Sequence, residues 1–229
     1  MPELITTSLF SDPNLVSYYR LQDLTDSKGS NTLTNTGSVT FSEGYFGNGA
    51  NFGSSNAGSF LSVASNLGVS GGACSFSVWV KLLSEITALN WAFVSLEDAT
   101  THVRNEIRYA YNAGTQQLQF TRSRMNVASD TLTYTITLGT SAWRNLLFTY
   151  DGSTVTGYVN GVSVGTVASS GSGVTVGSNN FKIGASDNGT TSEGFASSIL
   201  DDVPVFTRAL TAAECALMYS SGPGGMILL

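Results

Sequence analysis

Glu97 and Asp98 form one adjacent acidic pair in this chain, and Asp201 and Asp202 form another. Splitting a glycosidic bond needs two carboxyl groups on one face at a controlled separation, one acid and one nucleophile or base. Neighbouring residues of a strand point to opposite faces, so neither doublet presents such a pair. The one histidine, His102, lies in Ala-Thr-Thr-His, a loop sequence in which a solvated ring is expected. No serine or cysteine stands at a spacing that would complete a triad with it. Cys74 and Cys215 make no CxxC pair and no Cys/His cluster, which excludes a zinc site. Both read as free thiols in the core. The expectation is a chain that does no catalysis.

Side chains better suited to recognition lie in residues 103–124. With Ala113-Gly114 at a turn, Arg104, Glu106 and Arg108 share one strand face with Gln117, Gln119 and Thr121. Ile107, Tyr109, Leu118 and Phe120 take the other face and pack the core. Four of the seven arginines fall in this stretch, and forked donors beside amides suit sugar hydroxyls or carboxylates. Tyr111 near the tip and Trp91 in the preceding loop add rings able to stack on a sugar. The ligand-binding candidates are therefore Arg104, Arg108, Gln117, Gln119, Tyr111 and Trp91. The competing reading is a solvated outer sheet face. Trp79 and Trp143 are assigned to the core.

The elements that must position these residues are strands. Charged residues make up only 11% of the 229 residues, and glycine and β-branched types are frequent, a composition of strands and turns. The net charge of −6 argues against a nucleic-acid partner, which would require a basic face. No apolar run approaches the roughly 20 residues needed to span a bilayer, so no membrane insertion is expected. Residues 1–14 read as an N-terminal arm, 15–220 as one domain and 221–229 as a tail. The first ten residues show no basic segment and no long apolar core, so the expectation is a product made in the cytoplasm without export. Asn188-Gly-Thr190 then reads as an exposed loop and not as a used glycosylation acceptor.

The clearest local signals are Asp151-Gly152 and Asn160-Gly161, each supplying the positive φ of a type I′ hairpin turn. They predict three consecutive antiparallel strands over residues 143–166. The glycine-rich stretch 44–58 imitates a phosphate loop, but no helix follows to receive a phosphate; its glycines read as strand bends. Thr211-Ala-Ala-Glu214 is a capping box opening a helix over 212–219. The tail ends in four apolar residues, Met226 to Leu229, and is expected to dock on another subunit or particle; the alternative is that it folds back onto its own sandwich. Even strand spacing without other helices gives an all-β, two-sheet antiparallel jelly-roll sandwich with one short C-terminal helix.

Four stretches also carry a family resemblance. They are Trp143 to Tyr150-Asp-Gly with Tyr158-Val-Asn-Gly-Val162; Cys74-Ser-Phe-Ser-Val-Trp-Val-Lys81; Phe181-Lys-Ile-Gly184; and the closing segment Ile199 to Thr211. In this order they resemble the laminin G-like domains of the concanavalin A-like lectin/glucanase superfamily. The superfamily's glucanases carry Glu-x-Asp-x-x-Glu, which this sequence lacks. The resemblance further implies a structural Ca²⁺ held by Asp201 and Asp202, with Asp26 as another oxygen donor. The alternative is that these aspartates cap strand ends and bond loop amides. Expected partners are a glycan or protein surface, with homo-oligomers or virion subunits as further neighbours. The functional expectation is a surface-displayed bacteriophage virion protein, decorating a capsid or tail. The alternative is a binding module of a larger secreted or cell-surface protein.

Overall fold

The computed structural model of the protein describes residues 9–54, 58–69, 72–87, 90–98, 103–124, 130–169, 179–187 and 192–221. The expectations for residues 1–8, for His102, for the triplet at 188–190 and for the tail 222–229 lie outside the described residues.

In chain order the first strands are β1 (Leu15–Tyr19), β2 (Thr34–Thr36), β3 (Thr40–Glu43), β4 (Asn48–Asn51), β5 (Phe60–Val63) and β6 (Cys74–Leu82). Next come β7 (Asn90–Asp98), β8 (Val103–Asn112), β9 (Thr115–Arg124), β10 (Asp130–Thr135), β11 (Arg144–Tyr150), β12 (Thr154–Val159) and β13 (Val162–Ala168). The last are β14 (Asn179–Ile183), β15 (Ser186–Asp187), β16 (Ser192–Glu193), β17 (Ser198–Asp201) and β18 (Val203–Phe206), followed by helix α1 (Ala212–Ser221). One antiparallel sheet runs β13-β12-β11-β6-β17-β4-β3, with β18 bonded to β6 and carrying β1. The opposing sheet runs β10-β9-β8-β7-β14-β5-β2, and β15 pairs with β16 as a separate hairpin. This is the jelly-roll sandwich that alternation and turn spacing predicted.

The inner faces close on each other. Phe76 and Phe148 stack at 4.8 Å on the first sheet, and Ile107, Tyr109, Leu118, Phe120 and Phe181 face them from the second. A second, smaller cluster lies on the outer face of the first sheet. There Cys215 and Met218 of α1 pack with Leu147, Tyr158, Phe206 and Leu210. The two cysteines are buried free thiols on opposite sides of that sheet.

The meander forms as predicted, with Leu146 opposite Val159 and Val159 opposite Val162. Asn160 and Gly161 both have positive φ, the type I′ requirement. At the other turn only Gly152 does, so Gly152 and Ser153 are the central residues and the pattern is II′. Asp151 holds that turn by accepting from the Ser153 and Thr154 amides, each at 2.8 Å. The closing segment forms two strands, because Asp202 at φ 46° breaks it between β17 and β18. The capping box is present, with Thr211 N donating to Glu214 Oε2 at 2.7 Å and Glu214 N to Thr211 Oγ1 at 3.3 Å.

Candidate functional site

The outer face of the second sheet receives the arginine hairpin. In β8–β9, Arg104 lies opposite Ser123, Glu106 opposite Thr121, Arg108 opposite Gln119 and Ala110 opposite Gln117. A bulge at Phe93 shifts the phase of β7, because Ala92 pairs with Arg108 while Val94 pairs with Ile107. Ser95 and Glu97 thereby join the arginine face. The chain then crosses this face: Ser95 Oγ donates to Ala185 O at 3.1 Å, and Asp187 N donates to Glu97 Oε2 at 3.0 Å. Beneath β15–β16 the charges pair with one another. Arg108 sets its fork against Glu106, with both contacts at 3.1 Å, and reaches Ser186 Oγ at 3.3 Å. Arg104 stands 3.7 Å from Glu106 and 3.9 Å from Glu193. Lys182 pairs with Asp187 and donates to Ser192 Oγ at 2.6 Å. Burial pushes the Glu97 carboxyl up to about 7, against the pull of Arg104.

Arg104 and Arg108 are therefore engaged with carboxylates, while Gln117 and Gln119 remain half-buried on the same face. Two candidates belong elsewhere. Trp91 lies not in a loop but inside β7, where it is buried in the inter-sheet core. Tyr111 is opposite Gln116, on the core-facing side of β8, and packs against that core. Strand alternation places it one residue out of phase with the arginines.

Asp26 and Asp201 hold backbone amides, and Asp202 holds a tyrosine hydroxyl. Asp26 accepts from the amides of Tyr18, Lys28 and Gly29 at 2.9, 3.0 and 2.9 Å. Asp201 Oδ2 accepts from Tyr45 N and Phe46 N, both at 2.8 Å, and its Oδ1 from Asp202 N at 2.9 Å. Asp202 Oδ1 accepts from the Tyr18 hydroxyl at 2.5 Å. A hard cation needs several free oxygens around one point, and this donor set does not fit one. Among the described residues no group of three or more His, Cys, Asp or Glu side chains is arranged to hold a metal.

The outer face of the first sheet carries a different arrangement. Asp201, Trp79 and Asn145 form one cross-strand row over β17, β6 and β11. Between β3 and β4 the turn Gly44-Tyr45-Phe46-Gly47, closed by Gly44 N on Gly47 O at 2.8 Å, hangs over that row. Tyr45 lies flat on Trp79, with centroids 3.7 Å apart and planes 14° apart. Phe46 and Trp143 flank Tyr45 at 4.6 and 5.9 Å. Tyr219 of α1 stacks on Trp79 at 5.6 Å. Trp79 is only 2% exposed, whereas Tyr45, Phe46 and Tyr219 are 43%, 39% and 40% exposed. The Trp79 Nε1 and both amide atoms of the Asn145 side chain are buried with no hydrogen-bond partner among the described residues. The result is an open aromatic platform on a rigid base. Stacked rings suit the apolar faces of sugars.

Comparison with known families decides the membership. The laminin G-like model of the Concanavalin A-like lectin/glucanases superfamily matches residues 52–216. The chain belongs to this superfamily. Among solved structures it is similar to domain 4 of AbnA, an extracellular GH43 arabinanase from Geobacillus stearothermophilus solved with arabinotriose. That match has 20% identity and a TM-score of 0.69, over 90% of this chain and 98% of that one. It is also similar to the receptor-binding domain of botulinum neurotoxin D, at 14% identity and TM-score 0.70, over 93% of this chain and 53% of that one. For the binding domain of botulinum neurotoxin serotype G the values are 16% and 0.67, over 90% and 50%. The chain spans about half the length of these toxin domains. No curated protein matches it by sequence.

In this laminin G-like sandwich the platform is what reading by alternation missed. Trp79 is buried as expected, but on the outer face and not between the sheets; Trp143 is half-buried at the platform rim. The available signal was Gly-Tyr-Phe-Gly. Two adjacent rings bracketed by glycines occupy a turn, where both cannot turn into a core.

Proposed function

We propose that the chain is a non-catalytic glycan-binding module whose binding face is the platform of Tyr45, Phe46, Trp143 and Tyr219. The carrying observation is Tyr45 lying flat on buried Trp79 while remaining 43% exposed. A ring held in this way stacks on a sugar at little further entropic cost. The similar arabinanase domain was solved with arabinotriose, which supports sugars as the ligand class. Non-catalysis is supported by the carboxylates themselves. Glu97 and Glu106 lie beneath β15–β16, and Asp201 and Asp202 hold backbone and tyrosine groups.

Titration calorimetry of arabinotriose and a panel of neutral and acidic oligosaccharides tests the reading. Binding should appear with the wild-type chain and disappear in a Tyr45→Ala/Phe46→Ala variant. Binding that survives both substitutions, or glycan cleavage by the pure protein, rejects it.

Two settings compete for such a module. The similar arabinanase domain, matched over 98% of its length, is one domain of a larger extracellular enzyme. That favours a module of a secreted protein over the bacteriophage virion placement. Virion structural genes flanking its own would reverse the preference; a hydrolase or a secretion signal in the same reading frame would support it.

A further inference from the structure

The structure assigns Asp201 the part of a positioning residue for the aromatic platform, an inference that rests on the glycan-binding reading of that face. Asp201 is fully buried and sits directly opposite Trp79 on the neighbouring strand. One of its oxygens accepts from both amides of the turn, Tyr45 N and Phe46 N, each at 2.8 Å. Its other oxygen accepts from Asp202 N at 2.9 Å, which fixes the rotation of the carboxylate. A single side chain beside Trp79 thus sets the height and angle at which Tyr45 lies over the indole. The turn is shaped to admit it. A Cβ on Gly44 would stand 2.6 Å from Asp201 Oδ2 and 2.6 Å from Gly49 N, so only glycine lets the loop come down this far. Binding groups are most accurate when the groups behind them are themselves locked. Asp201 does this without touching the sugar.

Asn cannot replace it. An amide oxygen turned to the loop leaves the Asn NH₂ facing the Asp202 N–H, and the reverse rotation faces the NH₂ to two loop donors. The neighbouring Asp202 supplies the contrast, because it holds the Tyr18 hydroxyl and no part of the turn.

The experiment reads tryptophan fluorescence and arabinotriose affinity on the full chain, with Tyr45→Ala as the reference for a lost platform. Asp201→Asn is expected to keep the wild-type far-UV circular dichroism and to shift fluorescence toward the Tyr45→Ala value. Losing two charge-assisted amide bonds should weaken arabinotriose binding about tenfold or more. Adding Tyr45→Ala to Asp201→Asn should then change little, whereas Asp202→Asn should leave fluorescence as in the wild type. A folded Asp201→Asn chain with wild-type fluorescence and affinity overturns the assignment. If that variant does not fold, Gly44→Ala attacks the same contact from the loop side and must reproduce the fluorescence shift; a wild-type spectrum there also overturns it. If the wild-type chain ignores arabinotriose, the sugar reading loses that ligand, while the fluorescence comparison still decides the role of Asp201.

Discussion

A carboxylate surrounded by N–H groups holds chain in place as a metal ion would, and Asp26 is the strongest case in this protein. Burial by itself would raise its carboxyl, but the amides of Gly29, Tyr18 and Lys28 outweigh that and hold it below the ordinary aspartate range. These bonds tie the loop after β1 back onto the strand. Asp26→Ala leaves the part-buried Tyr18 amide and the exposed Lys28 and Gly29 amides without this acceptor and should cost about 1–2 kcal/mol, measured by urea unfolding. Asp23→Ala, which loses only contacts to exposed Thr25, should cost well under 1 kcal/mol. With these amide bonds to Asp26 organising the loop, chelator and added calcium should leave the wild-type melting temperature where it is. A chelator-dependent drop would restore the calcium reading of Asp26, Asp201 and Asp202.

At the scale of elements, glycines decide how closely the layers approach. Gly157 of β12 faces inward, and a Cβ there would fall 2.4 Å from the Phe120 ring of β9. Gly157→Ala must push Phe120 off its rotamer or separate the sheets, and overpacking of this kind costs typically 1–3 kcal/mol. Gly161, at φ 75°, lets α1 sit on the β12–β13 turn; a Cβ would stand 2.9 Å from Ala216 Cα. Gly161→Ala should therefore lower the melting temperature and increase the exchange of α1 amides, and unchanged exchange would show that the helix does not rely on this seat. The meander, the arginine hairpin and the helix cap were legible because each rests on a period or a turn dipeptide. Trp91 was not, since alternation alone does not reveal the Phe93 bulge that resets the phase of β7; the inward side of Tyr111 was available from the same alternation that sets Arg104 and Arg108 outward. The platform was hidden for another reason. Its parts come from a turn at residue 45, a strand at 79, a loop at 143 and a helix at 219, and only the closed sandwich brings them together.

Over the whole molecule, few charges are present and several are buried, so stability should respond to pH in a way the net charge does not forecast. Burial raises Glu97 from 4.5 to about 7, Asp202 from 3.8 to about 7 and Asp201 from 3.8 to about 6. An acid whose carboxyl is raised in the fold binds its proton more tightly folded than unfolded, so its contribution is greatest below the unfolded value and declines as pH rises through the folded one. The lowered carboxylates, Asp12, Asp23, Asp26, Asp151 and Glu214, act in the opposite sense. Their contribution is complete above the ordinary carboxylate range and is lost only in acid. Between pH 5 and 8 the raised group therefore prevails, and the chain should lose stability on going from 5 to 8. Glu97 isolates one part of that slope, lying under β15–β16 among Arg104, Glu106 and Asp187. Glu97→Gln keeps the shape and an acceptor for Asp187 N but cannot ionise. It should match the wild type near pH 5 and exceed it near pH 8 by up to about 2 kcal/mol. Denaturant unfolding of both chains across that range checks this. Parallel curves would mean that Glu97 is already ionised in the fold, with Arg104 compensating its burial.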